Sequence, residues 1–158
     1  MHLADALCVG SELHQICFYE LVELAVEDTA AFNKIMDAFG LPKKTDEEKA
    51  ARSAAIQEAT RYATEVPFRT MQRSLEAFEV CRAMVEWGNP NSVTDGGVGS
   101  LAARSAVMGA HLNVKINASS LKDEEFKAAI LAKAQAIEDE AIRQEAEILK
   151  IVNEKIGL

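Results

Sequence analysis

Along the chain, apolar residues recur at three- and four-residue spacing in long stretches separated by short polar or glycine-rich breaks. Over residues 12–39 the series Leu13, Ile16, Cys17, Leu21, Leu24, Ala25, Phe32, Ile35, Met36 and Phe39 marks one face of a helix. Gly40, with Pro42 just beyond, is its stop signal. Thr45 followed by Glu48 reads as a capping box, so a second helix is expected from 46. Its apolar series passes through Ala54, Ala59, Tyr62, Met71, Leu75, Phe78, Cys81 and Val85 to Trp87, and Gly88 closes it. Pro67 interrupts that series, and its missing amide predicts a kink there or two helices joined end to end. A third helix is expected to start within 92–95 and run to about 115, and a fourth to run from 123 to about 155 as a solvated outer helix with one buried face. Strand-like alternation, repeats and linkers are absent from the sequence. The pattern therefore predicts one all-α domain over 1–158, an antiparallel bundle of long helices.

Composition sharpens the picture in three ways. The chain is 49% hydrophobic but only 6% aromatic, so its packing must depend on close helix approach rather than bulky side chains. A net charge of −8 leaves no basic stripe for phosphates, which argues against nucleic-acid binding. Three cysteines, Cys8, Cys17 and Cys81, lack CxxC spacing and are odd in number, so neither a disulfide framework nor a zinc site is expected. That usage suits a reducing cytoplasm, and no apolar run approaches the roughly 20 residues a bilayer requires.

The segment GNPNSVTDGGVGSLAARSAVMGAHLNVKIN, 88–117, departs from the charged helices around it, with four asparagines, one aspartate and five glycines. Asn89, Pro90, Asn91 and Ser92 are turn formers. Asp95 suits the first turn of a helix, where a carboxylate complements free amides and the helix dipole. Gly96, Gly97 and Gly99 each cost about 1 kcal/mol relative to alanine in a helix, which implies that something approaches closely. With Ala102, Ala103, Ala106, Gly109 and Ala110, Gly99 forms a small-residue face suited to a second backbone or a flat ligand. Asn113 and Asn117 are poor helix-interior residues, so they either bond something specific or mark irregular last turns around Lys115. His111 is an acid or base candidate, but a lone histidine is more often a satisfied packing residue, and no second histidine stands at metal-ligand spacing. On the first helix Asp28 lies one turn before Phe32, either bordering a pocket or standing at the surface above a core aromatic. Lys43 and Lys44 are either a solvated pair or a contact for a polyanionic tail.

Together, DTAAFNKIMDAFGLPK (28–43), EEKAARSAAIQEATRYATEVP (47–67) and the 88–117 segment resemble the cyclodeaminase/cyclohydrolase family. This group includes the C-terminal domain of formiminotransferase-cyclodeaminase and stand-alone methenyltetrahydrofolate cyclohydrolases. The resemblance runs from about residue 21 to the C-terminus. It implies an all-helical homodimer that binds a tetrahydrofolate derivative, possibly polyglutamylated, near its interface. The reaction implied is ammonia elimination giving 5,10-methenyltetrahydrofolate, or hydrolysis of the methenyl bridge, with no metal and no cofactor beyond the folate itself. On this reading Asp95 is the general acid/base; Asn89, Asn91, Ser92, Asn113 and Asn117 orient the pterin; Lys115 holds a folate carboxylate, and Asp28 borders the site. Burial of Asp95 against the small-residue face would raise its pKa. The family's glycine-rich loop of the form PAPGGGS has no counterpart here, since MHLADALCVGSELH leads directly into the first helix. The domain thus reads as shortened at its N-terminal part, and a catalytically incomplete folate-binding or helical dimerisation module is the competing expectation.

Overall fold

A computed structural model describes the backbone of residues 3–157 and the side chains of 19–157. Four helices occupy most of it: α1 (Leu3–Gly40), α2 (Asp46–Trp87), α3 (Val93–Ala118) and α4 (Glu124–Ile156), with a short 3-10 turn, Pro90–Ser92, before α3. The start of α2 is held by its capping box: Glu48 N–H donates to Thr45 Oγ1 at 3.2 Å, and Thr45 N–H donates to Glu48 Oε2 at 3.2 Å. Asp123 caps α4 by accepting from the Phe126 amide at 3.0 Å, and Gly157, at φ 81, ends it.

Two boundaries differ from the sequence reading, and one of its alternatives is decided. The first helix begins at Leu3 rather than near residue 12, because the earlier segment contains no breaker except Gly10, and one glycine costs only about 1 kcal/mol. The third helix continues to Ala118, so Asn113, Lys115 and Asn117 all lie within it. Through Pro67, α2 runs as one 42-residue helix, so of the two expected outcomes, a kink or two helices joined end to end, the second does not occur. A proline at 67 cannot donate to the carbonyl of Ala63, four residues earlier. Asn117 Nδ2 of α3 donates to that carbonyl instead, at 2.7 Å, and the orphaned acceptor is satisfied from a neighbouring helix.

Cross-helix contacts establish the topology. Glu20 meets Arg73 and Phe39 O meets Arg52, so α1 and α2 run antiparallel. Ala63 meets Asn117 while Gly96 lies against Val85, so α2 and α3 do likewise. Gly97 lies against Val152 and His111 meets Glu138, which makes α3 and α4 antiparallel as well. Helix α2 packs on all three others, and α1 lies against α2 on the side away from the main core. That core contains Met71, Phe78, Val85, Val107, Val114, Ile130, Ile148 and Val152; a smaller one beneath α1 contains Leu24, Ala31, Ala63 and Val66. Full burial of side chains such as Phe78 and Met71 stabilises by about 1.5–3 kcal/mol each. The buried positions of α4, Ile130, Ala134, Ala141, Glu145, Ile148 and Val152, form the single buried face expected of an outer helix. No helix among the described residues is long and apolar enough to cross a membrane.

Candidate functional site

The amide-rich turn is built locally. Gly88 N–H donates to Met84 O, closing α2. Asn89 Oδ1 accepts from the Asn91 amide at 3.0 Å, and Asn89 O accepts from the Ser92 amide at 2.8 Å, with Pro90 setting φ between them. One side-chain atom of Asn89 is thereby committed to turn geometry, while Asn91 remains exposed and Ser92 makes no side-chain cap bond. Asp95 follows in the first turn of α3. It is exposed, and no other described residue bonds or pairs with it, so the expected burial against the small-residue face does not occur within the chain.

The glycines of this turn do explain themselves. A Cβ on Gly96 would stand 2.6 Å from Val85 Cγ1 and 3.2 Å from Cys81 O, and one on Gly97 would stand 3.2 Å from Val152 Cγ2. These two positions let the start of α3 wedge between α2 and α4. Gly109 is different, with nothing within 4 Å of an added Cβ. The small-residue face is thus split between two environments. Ala103 and Ala110 are buried in the bundle, whereas Ala102, Ala106 and Gly109 face outward.

At the other end of α3, Asn113 and Lys115 are exposed, and Asn117 is half-buried with its amide NH2 on the Ala63 carbonyl. His111 is 1% exposed and lies 2.5 Å from Glu138 Oε2 through Nδ1, the satisfied packing histidine that its isolation suggests. Asp95 and Asn113 are 18 residues apart on one helix, about 27 Å along its axis at roughly 1.5 Å per residue. One pterin ring cannot touch both ends, so within one chain the proposed residues form two groups: Asn89, Asn91, Ser92 and Asp95, and separately Asn113, Lys115 and Asn117. Asp28 belongs to neither, being exposed on α1, and Phe32 beside it is 60% exposed rather than part of the core.

Between those groups the open side of α3 carries Val98, Ala102, Ser105, Gly109, Leu112 and Ile116, alternating four- and three-residue steps on one face. Val98, Leu112 and Ile116 are 63%, 65% and 66% exposed, so an apolar seam with a glycine at its centre faces outward along the helix.

Sequence reasoning missed a polar cluster between α1 and α2. Glu27 Oε1 accepts from Arg69 Nη2 and from the Tyr62 hydroxyl, both at 2.5 Å, and Lys34 Nζ sits 3.9 Å over the Tyr62 ring. The Arg69 bond first, and the Tyr62 bond next, hold the Glu27 carboxyl below its usual range. The same Glu27 bond pushes the Tyr62 phenol up. No local spacing could signal this, because residues 35 and 42 positions apart meet only when the helices pair. Burial pushes the Cys81 thiol up and keeps it protonated; Cys8 and Cys17 lie outside the residues whose side chains are described. Among the described residues no group of three or more His, Cys, Asp or Glu side chains could hold a metal ion.

Comparison with known proteins adds the following. A family profile described as Formiminotransferase-cyclodeaminase matches residues 8–136. Methenyltetrahydrofolate cyclohydrolase of Methylorubrum extorquens is 38% identical over 137 residues, covering 87% of this chain and 66% of that protein. Formimidoyltransferase-cyclodeaminase of Gallus gallus is 32% identical over 143 residues, covering 90% of this chain and 26% of that protein. In fold, the chain matches the crystal structure of formiminotetrahydrofolate cyclodeaminase from Thermotoga maritima with a TM-score of 0.78 at 22% identity, covering 92% of this chain and 68% of that one. The chain thus spans 66% of the bacterial cyclohydrolase and 26% of the chicken protein.

Proposed function

Because the chain belongs to the formiminotransferase-cyclodeaminase family, we propose that it binds a tetrahydrofolate derivative in the cytoplasm and acts on the one-carbon unit joined to N5. The 38% identity to a methenyltetrahydrofolate cyclohydrolase carries this reading and favours hydrolysis over ammonia elimination. In hydrolysis, a water oxygen bonds to the methenyl carbon while a base removes its proton. The carbon–N5 bond then breaks as the new hydroxyl gives up its proton and N5 takes one up, leaving a formyl group on N10 and releasing one proton overall. In the alternative reaction N10 attacks the formimino carbon on N5, and an acid protonates the departing ammonia. Both need one group that exchanges a proton beside the reacting carbon, and Asp95 is our candidate.

The outward seam of α3 supports a homodimer as the form that completes the site. A two-fold copy packed antiparallel on this seam sets Ala102 opposite the second copy's Gly109, where two backbones can approach closely. It also brings the Asn89–Asp95 end of one α3 beside the Asn113–Lys115 end of the other, covering the exposed carboxylate and uniting the two groups that a single chain keeps about 27 Å apart. Asn89, Asn91, Ser92 and Asn113 then offer donors and acceptors to the pterin edge, and Lys115 offers a cation to a folate carboxylate. Asp28, on α1, stays a peripheral candidate, and Asn117 acts on substrate only through the turns it anchors.

The test is the Asp95→Asn variant, followed by methenyl absorbance and ammonia release. A loss of at least about 100-fold in kcat with folate affinity retained is expected of a general acid/base. Near-normal turnover removes Asp95 from the chemistry, while folate binding without turnover in the unaltered chain identifies a binding module instead.

A further inference from the structure

Three backbone groups at the junction of α2 and α3 are left without a partner by local structure. Pro67 has no amide for the Ala63 carbonyl, and Ser120 O and the Lys122 N–H lie in the loop between α3 and the Asp123 cap, outside either helix ladder. Two side-chain amides supply all three. Asn117 Nδ2, on α3, donates to Ala63 O of α2 at 2.7 Å. In the opposite direction Gln57, on α2, donates through Nε2 to Ser120 O at 3.1 Å and accepts at Oε1 from the Lys122 amide at 2.8 Å. Each side of the junction thus gives the other one amide side chain. The two points of attachment on α2, residues 57 and 63, are about 9 Å apart along its axis.

Apolar burial alone would not fix this end of α3. Val114, Ala118 and Leu121 are buried there, but such contacts are non-directional and tolerate a small slide or rotation. Hydrogen bonds to fixed backbone atoms do not, because they weaken steeply with distance and angle. A slip of one residue along a helix moves each side chain by about 1.5 Å and turns it by about 100°. Asn113 stands one turn before Asn117, and Lys115 half a turn before it, both exposed. Neither side chain is held by a bond of its own among the described residues, so the two anchors set where they stand.

We propose that Gln57 and Asn117 are positioning residues for the Asn113–Lys115 end of the site, a clasp that fixes the register of α3 on α2 without touching substrate. The role rests on the folate reading above. Asn113 and Lys115 are placed there as binding groups rather than proton-transfer groups, so loosening the clasp raises KM and leaves kcat unchanged. Gln57 also lines a groove with Lys43, Arg52 and Lys122, and neutral replacements leave the charge there as it is.

The experiment follows methenyl absorbance in the unaltered chain, Gln57→Leu, Pro67→Ala, the Pro67→Ala/Asn117→Ala double variant, and Ile148→Val, a core change on α4 that lowers stability at neither anchor. In the double variant the restored amide at position 67 occupies Ala63 O, so stability is kept while that half of the clasp is lost. A KM about tenfold higher in Gln57→Leu and in the double variant, kcat within about twofold, and an unchanged KM in Pro67→Ala and Ile148→Val are expected. A normal KM in the double variant, or a KM that tracks Tm across the set, shows that the amides serve stability alone and overturns the proposal. If the unaltered chain binds methenyltetrahydrofolate without turnover, Kd is read in place of KM with the same expected pattern. Amide hydrogen exchange of residues 113–122, measured without folate, should be about tenfold faster in Gln57→Leu and in the double variant, and unchanged exchange overturns the clasp whatever the kinetics. Failure of the unaltered chain to bind folate at all refutes the folate reading and the positioning role with it, while faster exchange still identifies the clasp as the anchor of this helix end.

Discussion

Replacing Asn117 by alanine removes the donor that lies 2.7 Å from the Ala63 carbonyl. Ala63 is 4% exposed, and Pro67 cannot supply the amide that would ordinarily occupy its oxygen, so the acceptor would be left buried and unpaired. Such a group costs about 1–3 kcal/mol. Taking 2 kcal/mol as central, a chain of this size should lose about 4–8 °C in Tm. The decisive comparison is a double-mutant cycle with Pro67→Ala. An alanine there restores an N–H that can bond Ala63 O, so Asn117→Ala should cost less than about 0.5 kcal/mol in that background, a coupling of roughly 1.5 kcal/mol. Any packing change caused by losing the proline ring appears in both arms and cancels. Asn117→Asp keeps the shape but has no donor when ionised, and should be no better than alanine. Urea denaturation followed by circular dichroism reads all of these. Equal losses with and without Pro67 would refute the idea that Asn117 serves the proline.

Two further outcomes follow from the geometry. Gly96→Ala should destabilise by about 1–2 kcal/mol, because overpacking against Val85 outweighs the roughly 1 kcal/mol gain in helix propensity, whereas Gly109→Ala, with open space around it, should stabilise the isolated chain in urea. If Gly109→Ala leaves the self-association constant unchanged in sedimentation equilibrium, the α3 seam is not the dimer interface. Glu27, whose carboxyl is held low by Arg69, contributes stability that is present above about pH 4.3 and is lost as pH falls from there through its folded-state value. Arg69 is 45% exposed, so solvent screening keeps the contribution below about 1 kcal/mol. Glu27→Gln should flatten the acid limb of Tm against pH, and superimposable limbs would count against the assignment.

The order and number of the helices, and several of their ends, follow from the chain alone, because caps and breakers act within a single turn. Thr45 with Glu48, Gly40 with Pro42, and Asp123 each announce a boundary without reference to the rest of the molecule. The family was legible in three motifs for a related reason: the 88–117 segment combines residue types that local stability alone would not select. Sequence also made clear that Gly96 and Gly97 must admit a close neighbour, although not which one.

Tertiary structure decided where each polar side chain finds its partner. Asn117 read as a substrate amide from its type, yet its NH2 meets a carbonyl 54 residues away that only helix pairing brings near. Distance along α3 separated Asp95 from Asn113, because a rigid helix rise turns 18 residues of sequence into about 27 Å. The same pairing split one apparent small-residue face into a buried half and an open seam, and gathered Lys43, Arg52 and Lys122 from three segments into one groove. Spacing rules report what a helix can present, but charges and amides act over a few ångströms, and those distances exist only once the helices have packed.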